Sequence, residues 1–409
     1  MTLFEDLKWR GLIKDVAGED LADKLNGEAI TFYWGTDPTA DSLHIGHYSS
    51  LVTAKRLMLA GHHPILLCGG ATGRIGDPRP TAEREILDYA VIEANIKGIR
   101  SQIDRLFEGK AELVDNYDWT KDYTILEFLR DIGKYINVNY MINKDIISRR
   151  LETGITFAEF SYTLLQGYDF LHLYQTKNCI MQVEGSDQWG NITTGIELIK
   201  KKLGKEAYAF TMPLILDANG NKFGKSEGNA LWLDKNKTTP YQIYQYLINA
   251  DDSKVLEYLK VFTFLSKEEI ENIMQEHNEK PELRLAQKTL AYEVVKDIHG
   301  EDEASKAIAM TEALFVEKFD NLTKNDIEEI FDKELIIPVE STNLVDLVIE
   351  VGAAKSKREA REFITGSAIK INGEKNTDLD YNLSDKDFID NCYIIIKRGK
   401  KNYYVGKRC

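Results

Sequence analysis

Apolar and polar positions at the start of the chain alternate between runs of strand length and a helical repeat. Residues 30–34 form a β-rich run that ends at Gly35, and residues 64–68 form a second, continuous apolar run. Between them, apolar side chains recur at helical spacing from Leu51 to Leu59. Strand, helix and strand in this order are typical of a parallel α/β sheet that binds a nucleotide at its strand ends.

The predicted helix begins beside two histidines. Asp41 or Ser42 is expected to cap its start, and Gly61 stands where a left-handed residue would end it. His44 and His47 would then share one face of the first turn, where the helix dipole and unpaired N–H groups favour an anion. The spacing alone is equally consistent with ordinary surface histidines, and the lack of an HExxH pattern disfavours a metal site.

Residues 115–180 are rich in aromatic and aliphatic side chains, which indicates a packed core. Within them, Tyr162, Gln166 and Asp169 recur at helical spacing as one polar stripe. A buried carboxylate must find a hydrogen-bond donor, so Asp169 belongs either to a structural network or to a ligand pocket. The periodicity leaves both interpretations open.

Two polar loops follow predicted strands. The first contains four glycines and ends at Asp77-Pro78, and the second spans residues 184–191. The GxGxxG fingerprint of dinucleotide sites is absent. A third loop, at residues 222–226, reads KFGKS; it matches neither an EF-hand nor the spacing of a P-loop.

The second half of the chain changes pattern twice. From Thr239 to about residue 320 the periodicity is helical only, and a small α+β unit with an Asn-Gly turn comes last. We therefore expect four segments: an α/β domain at 1–235, a helical domain at 236–330, a linker at 331–342 and an α+β domain at 343–409.

Composition adds a constraint on charge. The 409 residues are 43% hydrophobic, which fits a globular protein, and the net charge of −14 argues against non-specific coating of nucleic acid. Basic residues are nevertheless concentrated near the C-terminus, at Lys355, Lys357, Arg358, Arg361 and Lys370 and in the final stretch KRGKKNYYVGKRC. Such segregation is typical of contact with a phosphate backbone, although a solvated charged tail would give the same pattern.

Cysteine usage and the N-terminus bear on location. Cys68, Cys179, Cys392 and Cys409 form no CxxC pair and no evident disulfide framework, as in a reducing compartment. The opening MTLFEDLKWR lacks the apolar core of a signal peptide, and no apolar run reaches the length of a membrane span. These features predict a soluble, cytoplasmic protein.

Two motifs carry a family resemblance. HIGH at 44–47, followed by KFGKS at 222–226, resembles the signature pair of class I aminoacyl-tRNA synthetases, whose second motif is usually KMSKS. With the helical segment and the basic α+β tail in this order, the whole chain resembles bacterial tyrosyl-tRNA synthetases. The resemblance rests on the stretches YWGTDPTADSLHIGH, GGATGRIGDP, NYDW, EFSYTLLQGYDF, EGSDQWGNIT, KFGKS and RGKKNYY.

The resemblance implies an architecture. Residues 1–235 would form a Rossmann-like, parallel-sheet catalytic domain with an inserted segment at about 115–180. Residues 236–330 would recognise the anticodon, and residues 343–409 would form an RNA-binding domain of the αL type. The family is homodimeric through the catalytic domain, and we expect a homodimer here.

The resemblance also implies the reaction and a tyrosine pocket. Tyrosine and ATP would give tyrosyl-AMP and pyrophosphate, and tyrosine would then pass to the 3′-terminal adenosine of tRNA(Tyr). Tyr33 and Asp169 would hydrogen-bond the phenolic hydroxyl, so phenylalanine would leave both groups unpaired. The remaining tyrosine contacts would be Tyr162, Gln166 and Asp77 at the ammonium, Gln188 near the carboxylate, and Asp37 as a further carboxylate.

The same resemblance implies an ATP site, with Mg²⁺ accompanying the nucleotide and no structural metal in the protein. His47 and Asp187 would contact the ribose. Thr39 and His44 would face the β- and γ-phosphates, over which Lys222 and Lys225 would close; Gly35, Gly46, Gly185 and Ser226 complete the expected ATP contacts. Attack of a carboxylate on the α-phosphate needs positioning and cations rather than a protein nucleophile. The expected tRNA contacts are Lys355, Lys357, Arg358, Arg361, Arg398, Lys400 and Lys401.

Some positions depart from the family pattern. Trp34 stands where many members have cysteine beside the ribose. Glu184 replaces a usual glycine and is expected to crowd or charge the edge of the adenylate. The loop after Asp77 lacks the usual lysine, which leaves Arg79 or Arg84 as the candidate cation.

Three alternatives remain from the sequence. A tryptophan specificity is disfavoured by Tyr33 and Asp169, because an indole has no para hydroxyl. An inactive RNA-binding paralogue is disfavoured by the intact HIGH and KFGKS motifs. An enzyme that adenylates a small molecule would share HIGH but would not need the basic tail.

Overall fold

The computed structural model describes residues 1–78, 87–151, 154–226, 229–331, 333–399 and 402–409. They form two compact units, and each is described separately. The first comprises Met1–Lys237 and Ala250–Leu290, and the second comprises Thr238–Asn249 and Ala291–Cys409. The four-segment division predicted from the sequence stays a prediction.

Helices make up much of both units. In chain order the described helices are α1 (Leu3–Trp9), α2 (Leu21–Asn26), α3 (Ile45–Leu59), α4 (Tyr89–Leu106), α5 (Tyr117–Thr120), α6 (Ile125–Asp131), α7 (Val138–Ile142), α8 (Asp145–Leu151), α9 (Phe157–Lys177), α10 (Trp189–Leu203), α11 (Pro240–Ile248), α12 (Asp252–Phe262), α13 (Lys267–Glu279), α14 (Leu285–His299), α15 (Glu301–Val316), α16 (Lys324–Ile330), α17 (Leu344–Glu350) and α18 (Lys357–Thr365). The described helices include none that is long and apolar enough to span a membrane.

Strands of the first unit form a six-stranded sheet. They are β1 (Val16–Ala17), β2 (Thr31–Thr36), β3 (His63–Cys68), β4 (Glu112–Asp115), β5 (Cys179–Gly185) and β6 (Tyr208–Met212). Their order across the sheet is β1-β6-β5-β2-β3-β4, with β1 antiparallel and the other neighbours parallel. The predicted parallel α/β class is confirmed. Strand order reverses between β5 and β2, which makes their carboxyl ends the expected ligand crevice.

The start of α3 differs from the sequence expectation. Neither Asp41 nor Ser42 caps the helix; the cap is His44, whose Nδ1 accepts a hydrogen bond from the Gly46 N–H at 3.1 Å. Ser42 is buried, and its hydroxyl donates to the carbonyl oxygen of Leu43 instead. The Nδ1 atom of His44 therefore caps the helix in place of the side-chain oxygen that was expected from Asp41 or Ser42.

Part of the inserted segment belongs to a packed core, as its composition indicated, whereas α6 within it buries no residue. Phe170, Leu171 and Leu173 of α9 are fully buried together with Tyr33 of β2. α9 starts with a capping box between Thr156 and Glu159. The long helix thus packs against β2 through Phe170, whose ring centroid lies 5.3 Å from that of Tyr33.

The second unit ends in a five-stranded sheet. Its strands are β9 (Ile336–Pro338), β10 (Ile369–Ile371), β11 (Glu374–Lys375), β12 (Tyr393–Arg398) and β13 (Asn402–Lys407), in the order β11-β10-β12-β13-β9. Two short strands of the first unit, β7 (Lys225–Ser226) and β8 (Asn229–Ala230), form a separate antiparallel pair. The expected Asn-Gly turn is present, with φ of 45° at Asn372 and 93° at Gly373. β9 pairs in parallel with β13, so the segment expected to be a linker contributes a strand to this sheet.

The cysteine expectation requires a correction. Cys392 and Cys409 form a disulfide with a Cα–Cα distance of 5.1 Å, whereas Cys68 and Cys179 are buried free thiols. Tyr393 pairs with Lys407 across the β12–β13 ladder, which brings the residues beyond both strand ends together. Their separation of 17 positions gives no sign of this proximity.

Candidate active site

The crevice between β2 and β5 collects most of the predicted site residues. The β2–β5 ladder ends at Tyr33 and Gln182, whereas β2 continues beside β3 as far as Thr36. The carboxyl ends of β2 and β5 therefore separate at the point where the strand order reverses. Loops that follow β2, β3, β4 and β5 all open toward this crevice.

Tyr33 and Asp169 are both buried. The ring of Tyr33 is 1% exposed, and its hydroxyl lies near the Gln182 side chain but makes no hydrogen bond of normal geometry within the described part of the chain. Asp169 accepts hydrogen bonds from Trp119 Nε1 and Asn116 Nδ2, both at 2.9 Å. Burial raises the pKa of Asp169 to about 7, against the opposing effect of those two bonds. Asp169 thus belongs to a structural network and lies near an unpartnered phenol.

The network extends from Asp169 to Tyr162. Asn116 also donates to Thr72 Oγ1 at 3.0 Å, and Thr72 donates to Asp37 at 2.7 Å. Tyr162 donates its hydroxyl hydrogen to the other oxygen of Asp37 at 2.9 Å. The sequence analysis did not single out Thr72 and Asn116, although both lie in stretches that carry the family resemblance.

Two further buried polar atoms accompany the Tyr33 hydroxyl. Gln166 Oε1 and Gln182 Nε2 are buried and have no hydrogen-bond partner in the described structure. Buried polar groups in native proteins are almost always paired, so orphaned atoms in a crevice indicate a polar ligand. Gln182 is the pairing partner of Tyr33 in the β2–β5 ladder, and the sequence analysis had not assigned it a role.

Asp77 and Gln188 lie together as expected. Asp77 accepts from Gln188 Nε2 at 3.0 Å and from Asn191 Nδ2 at 3.1 Å. Asn191 also donates to Gln188 Oε1 and accepts from the Thr163 hydroxyl at 2.8 Å. The first turn of α10 is therefore tied to the loop after β3 and to α9, and two of these residues, Asn191 and Thr163, were not singled out by the sequence analysis.

The two histidines of the HIGH motif stack at the start of α3. Their ring centroids are 3.9 Å apart, and His47 Nδ1 accepts a hydrogen bond from the His44 N–H at 3.2 Å. Burial lowers the pKa of His47 to about 3, with a smaller contribution from His44. Because Nδ1 of each ring accepts from a backbone N–H, the neutral rings carry their hydrogen on Nε2, which suits donation to oxygen.

The KFGKS loop is anchored beside these histidines by its phenylalanine. Phe223 is buried and packs on Phe262 with a centroid distance of 4.8 Å. Gly224 has a φ of +86°, and a Cβ there would come within 1.8 Å of Ile45 Cγ2. Glycine is therefore required where the loop crosses the start of α3. Lys222 is exposed, and the side chains of Lys225 and Ser226 lie outside the described structure.

The remaining predicted nucleotide residues line the outer part of the crevice. Thr39 and Asp187 are exposed, as contact with a diffusing ligand requires. A Cβ on Gly46 would lie 2.8 Å from His44 Cε1, and one on Gly185 would lie 2.7 Å from Asp187 Oδ1. Both glycines thus allow a neighbouring polar side chain to fold close to the backbone.

The positions that depart from the family pattern are well packed. Trp34 is 2% exposed and donates its indole N–H to Ser50 Oγ at 3.0 Å. Glu184 is 5% exposed and accepts from the Gly35 N–H at 2.6 Å. Arg79 and Arg84 lie outside the described residues.

The basic residues near the C-terminus divide into two groups. Lys355, Lys357, Arg358 and Arg361 are exposed on or beside α18. Arg398 instead donates to the carbonyl oxygen of Ala353 at 2.6 Å and lies against two aromatic rings. Lys400 and Lys401 lie outside the described residues. In the part described, α18 therefore provides the exposed basic surface.

Comparison with known proteins identifies the class. Residues 25–316 match the family model of class I tRNA synthetases for tryptophan and tyrosine (W and Y). The chain therefore belongs to the class I tRNA synthetases of this type.

A second family model and individual relatives indicate which kind of synthetase the chain is. Residues 326–405 match the model described as a tyrosine–tRNA ligase SYY-like C-terminal domain. The chain is 50% identical to the tyrosine–tRNA ligase of Macrococcus caseolyticus and 49% identical to that of Staphylococcus epidermidis, over 98% of each chain. A truncated mitochondrial tyrosyl-tRNA synthetase from Aspergillus nidulans is 35% identical, with a TM-score of 0.69 over 77% of this chain and 94% of its own. Within the class, the chain falls among the tyrosine–tRNA ligases.

Proposed function

We propose that the crevice between β2 and β5 is the tyrosine and ATP site of this tyrosine–tRNA ligase. The observation that carries the proposal is the buried, unpartnered hydroxyl of Tyr33 near the network-bound carboxyl of Asp169. A phenolic hydroxyl placed there accepts from Tyr33 and donates to Asp169. Phenylalanine leaves the Tyr33 hydroxyl unpaired and gives Asp169 no further donor, and an indole offers no hydroxyl at that position.

The amino and carboxylate groups of tyrosine meet the outer networks. Asp37, held by Tyr162 and Thr72, supplies negative charge toward the ammonium. Asp77 supplies a second carboxylate, and the unpartnered Gln166 Oε1 supplies an acceptor. Gln188, bonded to Asp77, is placed for the tyrosine carboxylate.

ATP binds toward the start of α3. The Nε2–H groups of His44 and His47 donate to nucleotide oxygens, at a helix N-terminus that favours anions. A tyrosine carboxylate oxygen attacks the α-phosphorus, the bond to the bridging oxygen breaks, and pyrophosphate leaves with the electron pair. Lys222 and Lys225 neutralise the leaving group, and Thr39 contacts it.

Mg²⁺ enters with the phosphates. The described residues provide no cluster of three or more His, Cys, Asp or Glu side chains arranged for a metal ion. Magnesium is typically held by substrate phosphates, water and one or two carboxylates, so this site fits an ion carried by ATP. The ion neutralises charge that develops on pyrophosphate.

The second compact unit serves tRNA recognition. Phe315, at the end of α15, is 88% exposed, and a ring so placed can stack on an unpaired anticodon base. The exposed lysines and arginines around α18 contact the phosphate backbone. These features support the assignment of residues 236–330 to anticodon recognition and of residues 343–409 to RNA binding.

An exposed apolar surface supports a homodimer formed through the inserted segment. Ile125, Leu126 and Phe157 are 74%, 77% and 75% exposed, and Val138 is 58% exposed. Exposed apolar side chains of this size within one segment of the chain are candidates for burial in an interface. We infer a homodimer, for which sedimentation analysis of the purified chain is the direct check, and we keep the cytoplasm as the expected location.

The test is ATP–pyrophosphate exchange with tyrosine, tryptophan and phenylalanine in turn. Exchange with tyrosine alone supports the proposed pocket, and exchange with none of them contradicts it. Deletion of residues 343–409 should preserve exchange and impair charging of tRNA. Equal loss of both activities would count against an RNA-binding role for that segment.

A further inference from the structure

Glu184 is a buried acid at the point where β2 and β5 separate. Its Oε1 accepts from the Gly35 N–H at 2.6 Å, two residues beyond the last backbone pair between these strands, Tyr33 and Gln182. The side chain of Glu184 therefore supplies Gly35 with the acceptor that a strand backbone would otherwise provide. This happens at the strand-order reversal, where sheets of this kind bind nucleotides.

The surroundings of Glu184 disfavour its ionised form. No basic side chain among the described residues pairs with it, and its electrostatic neighbours are Asp187, Asp37 and Tyr33. Burial raises the pKa of Glu184 well above its usual range; the Gly35 bond opposes this, and the two aspartates add to it. An ionised Glu184 would also face a polyanionic nucleotide, so the neutral acid is the form that suits the site.

A neutral carboxylic acid has both an acceptor and a donor. Glycine, the residue usual at this position in the family, would leave the Gly35 amide without a side-chain acceptor and would offer no donor of its own. Glu184 supplies both, on the same strand face as Gln182 and one residue before the loop that carries Asp187. Glu184 therefore lies beside Gly35 and Asp187, two residues that are expected to contact ATP.

We propose that Glu184 is a nucleotide-binding residue that acts as a neutral acid: one oxygen holds the Gly35 amide and the other donates a hydrogen bond to an oxygen of ATP. The inference rests on the ATP site proposed above. It assigns a binding role to a side chain that was expected only to crowd or charge that site.

The experiment compares Glu184→Gln and Glu184→Ala in the full-length protein by tyrosine-dependent ATP–pyrophosphate exchange. Glutamine retains an acceptor for Gly35 and an N–H donor, so its KM for ATP should stay within about twofold of the wild type. Alanine removes both, and its KM for ATP should rise about 3- to 10-fold with the KM for tyrosine unchanged. The matched control is Glu197→Gln, the same chemical change at a half-exposed position on α10 where the carboxylate pairs with Lys201.

A pH series adds a measurement that a purely structural role would not change. As the pH rises and Glu184 ionises, the wild-type KM for ATP should increase relative to that of Glu184→Gln, which cannot ionise. Thermal unfolding verifies that each variant is folded.

Two results would overturn the inference. Equal rises in the KM for ATP in the glutamine and alanine variants would show that the carboxylate must be ionised. An unchanged KM for ATP in a folded alanine variant would leave Glu184 a structural role only. Absence of tyrosine-dependent exchange in the wild type would contradict the proposed pocket instead, so the two failures are distinguishable.

Discussion

The substitution Tyr33→Phe should stabilise the protein and weaken its function at the same time. Tyr33 is 1% exposed, and its hydroxyl has no hydrogen-bond partner among the described residues. Burial also raises the pKa of this phenol well above its ordinary value, with a further contribution from Asp169. In the free enzyme the hydroxyl therefore contributes a desolvation cost that only its proximity to the Gln182 side chain offsets.

The expected gain in stability and the expected loss of activity can both be estimated from these observations. A buried polar group without a partner costs about 1–3 kcal/mol, so removing the hydroxyl should raise the free energy of unfolding by about 1 kcal/mol or more. A neutral hydrogen bond to the substrate contributes about 0.5–1.5 kcal/mol. Its loss should lower kcat/KM for tyrosine about 2- to 10-fold, because 1.36 kcal/mol corresponds to about a factor of ten.

Two assays measure these effects independently. Urea denaturation of the ligand-free protein gives the change in unfolding free energy, and ATP–pyrophosphate exchange gives the kinetic change. The KM for ATP should not change, because Tyr33 faces the Asp169 side of the pocket. Discrimination between tyrosine and phenylalanine should fall in parallel with kcat/KM.

One outcome would refute this reasoning directly. If Tyr33→Phe destabilised the ligand-free protein by about 1 kcal/mol, the hydroxyl would have to be satisfied in the absence of substrate. The proposed pairing of this phenol with the phenol of the substrate would then lose its basis. A stabilised variant with unchanged tyrosine kinetics would likewise place the substrate hydroxyl elsewhere.

Three further predictions concern other parts of the molecule. Because the pKa of Asp169 is about 7, the folded state binds the carboxyl proton more tightly than the unfolded state, so Asp169 stabilises the fold most at low pH and loses that contribution as the pH rises through 7. In urea titrations the wild type should therefore lose about 2.5 kcal/mol of unfolding free energy between pH 5 and 8 relative to Asp169→Asn. Parallel pH curves for the two proteins would contradict the raised pKa. Thr72→Val should lower the free energy of unfolding by about 1–3 kcal/mol in the same assay and raise the KM for tyrosine, because Asp37 and Asn116 both lose a hydrogen-bond partner. An unchanged free energy of unfolding would show that the network rearranges. Phe315→Ala should leave the thermal midpoint and pyrophosphate exchange unchanged but raise the KM for tRNA in charging assays, and an unaffected charging rate would exclude base stacking at that ring.

The start of α3 shows what the local sequence pattern predicts correctly and what it does not. Helical periodicity placed His44 and His47 in the first turn, and Gly61 has the expected positive φ of 103°. The prediction of the N-cap was wrong, because the cap is His44 rather than Asp41 or Ser42. Cap preferences describe isolated helix ends, whereas Ser42 is held by contacts with Leu43 and the distant Gln102.

The same distinction applies to Glu184. Its position one residue before the GSDQWG loop is evident in the sequence, as is the loss of the usual glycine. The contact on which its proposed binding role rests lies with Gly35, 149 residues away. The sequence predicted crowding because it contained no information about which atom the carboxyl would find.

The sequence by itself determined the class of fold, the order of its elements and the chemistry available at the strand ends. These features are encoded by periodicity, by glycine and capping residues, and by motifs that are contiguous in the chain. Tertiary structure decided the partners: Thr72 with Asn116 across 44 residues, Tyr162 with Asp37 across 125, and Cys392 with Cys409 beside one end of the β12–β13 pair. The physical reason is that periodicity shows which face of an element is buried, whereas a hydrogen bond depends on the positions of two separate elements to within a fraction of an ångström.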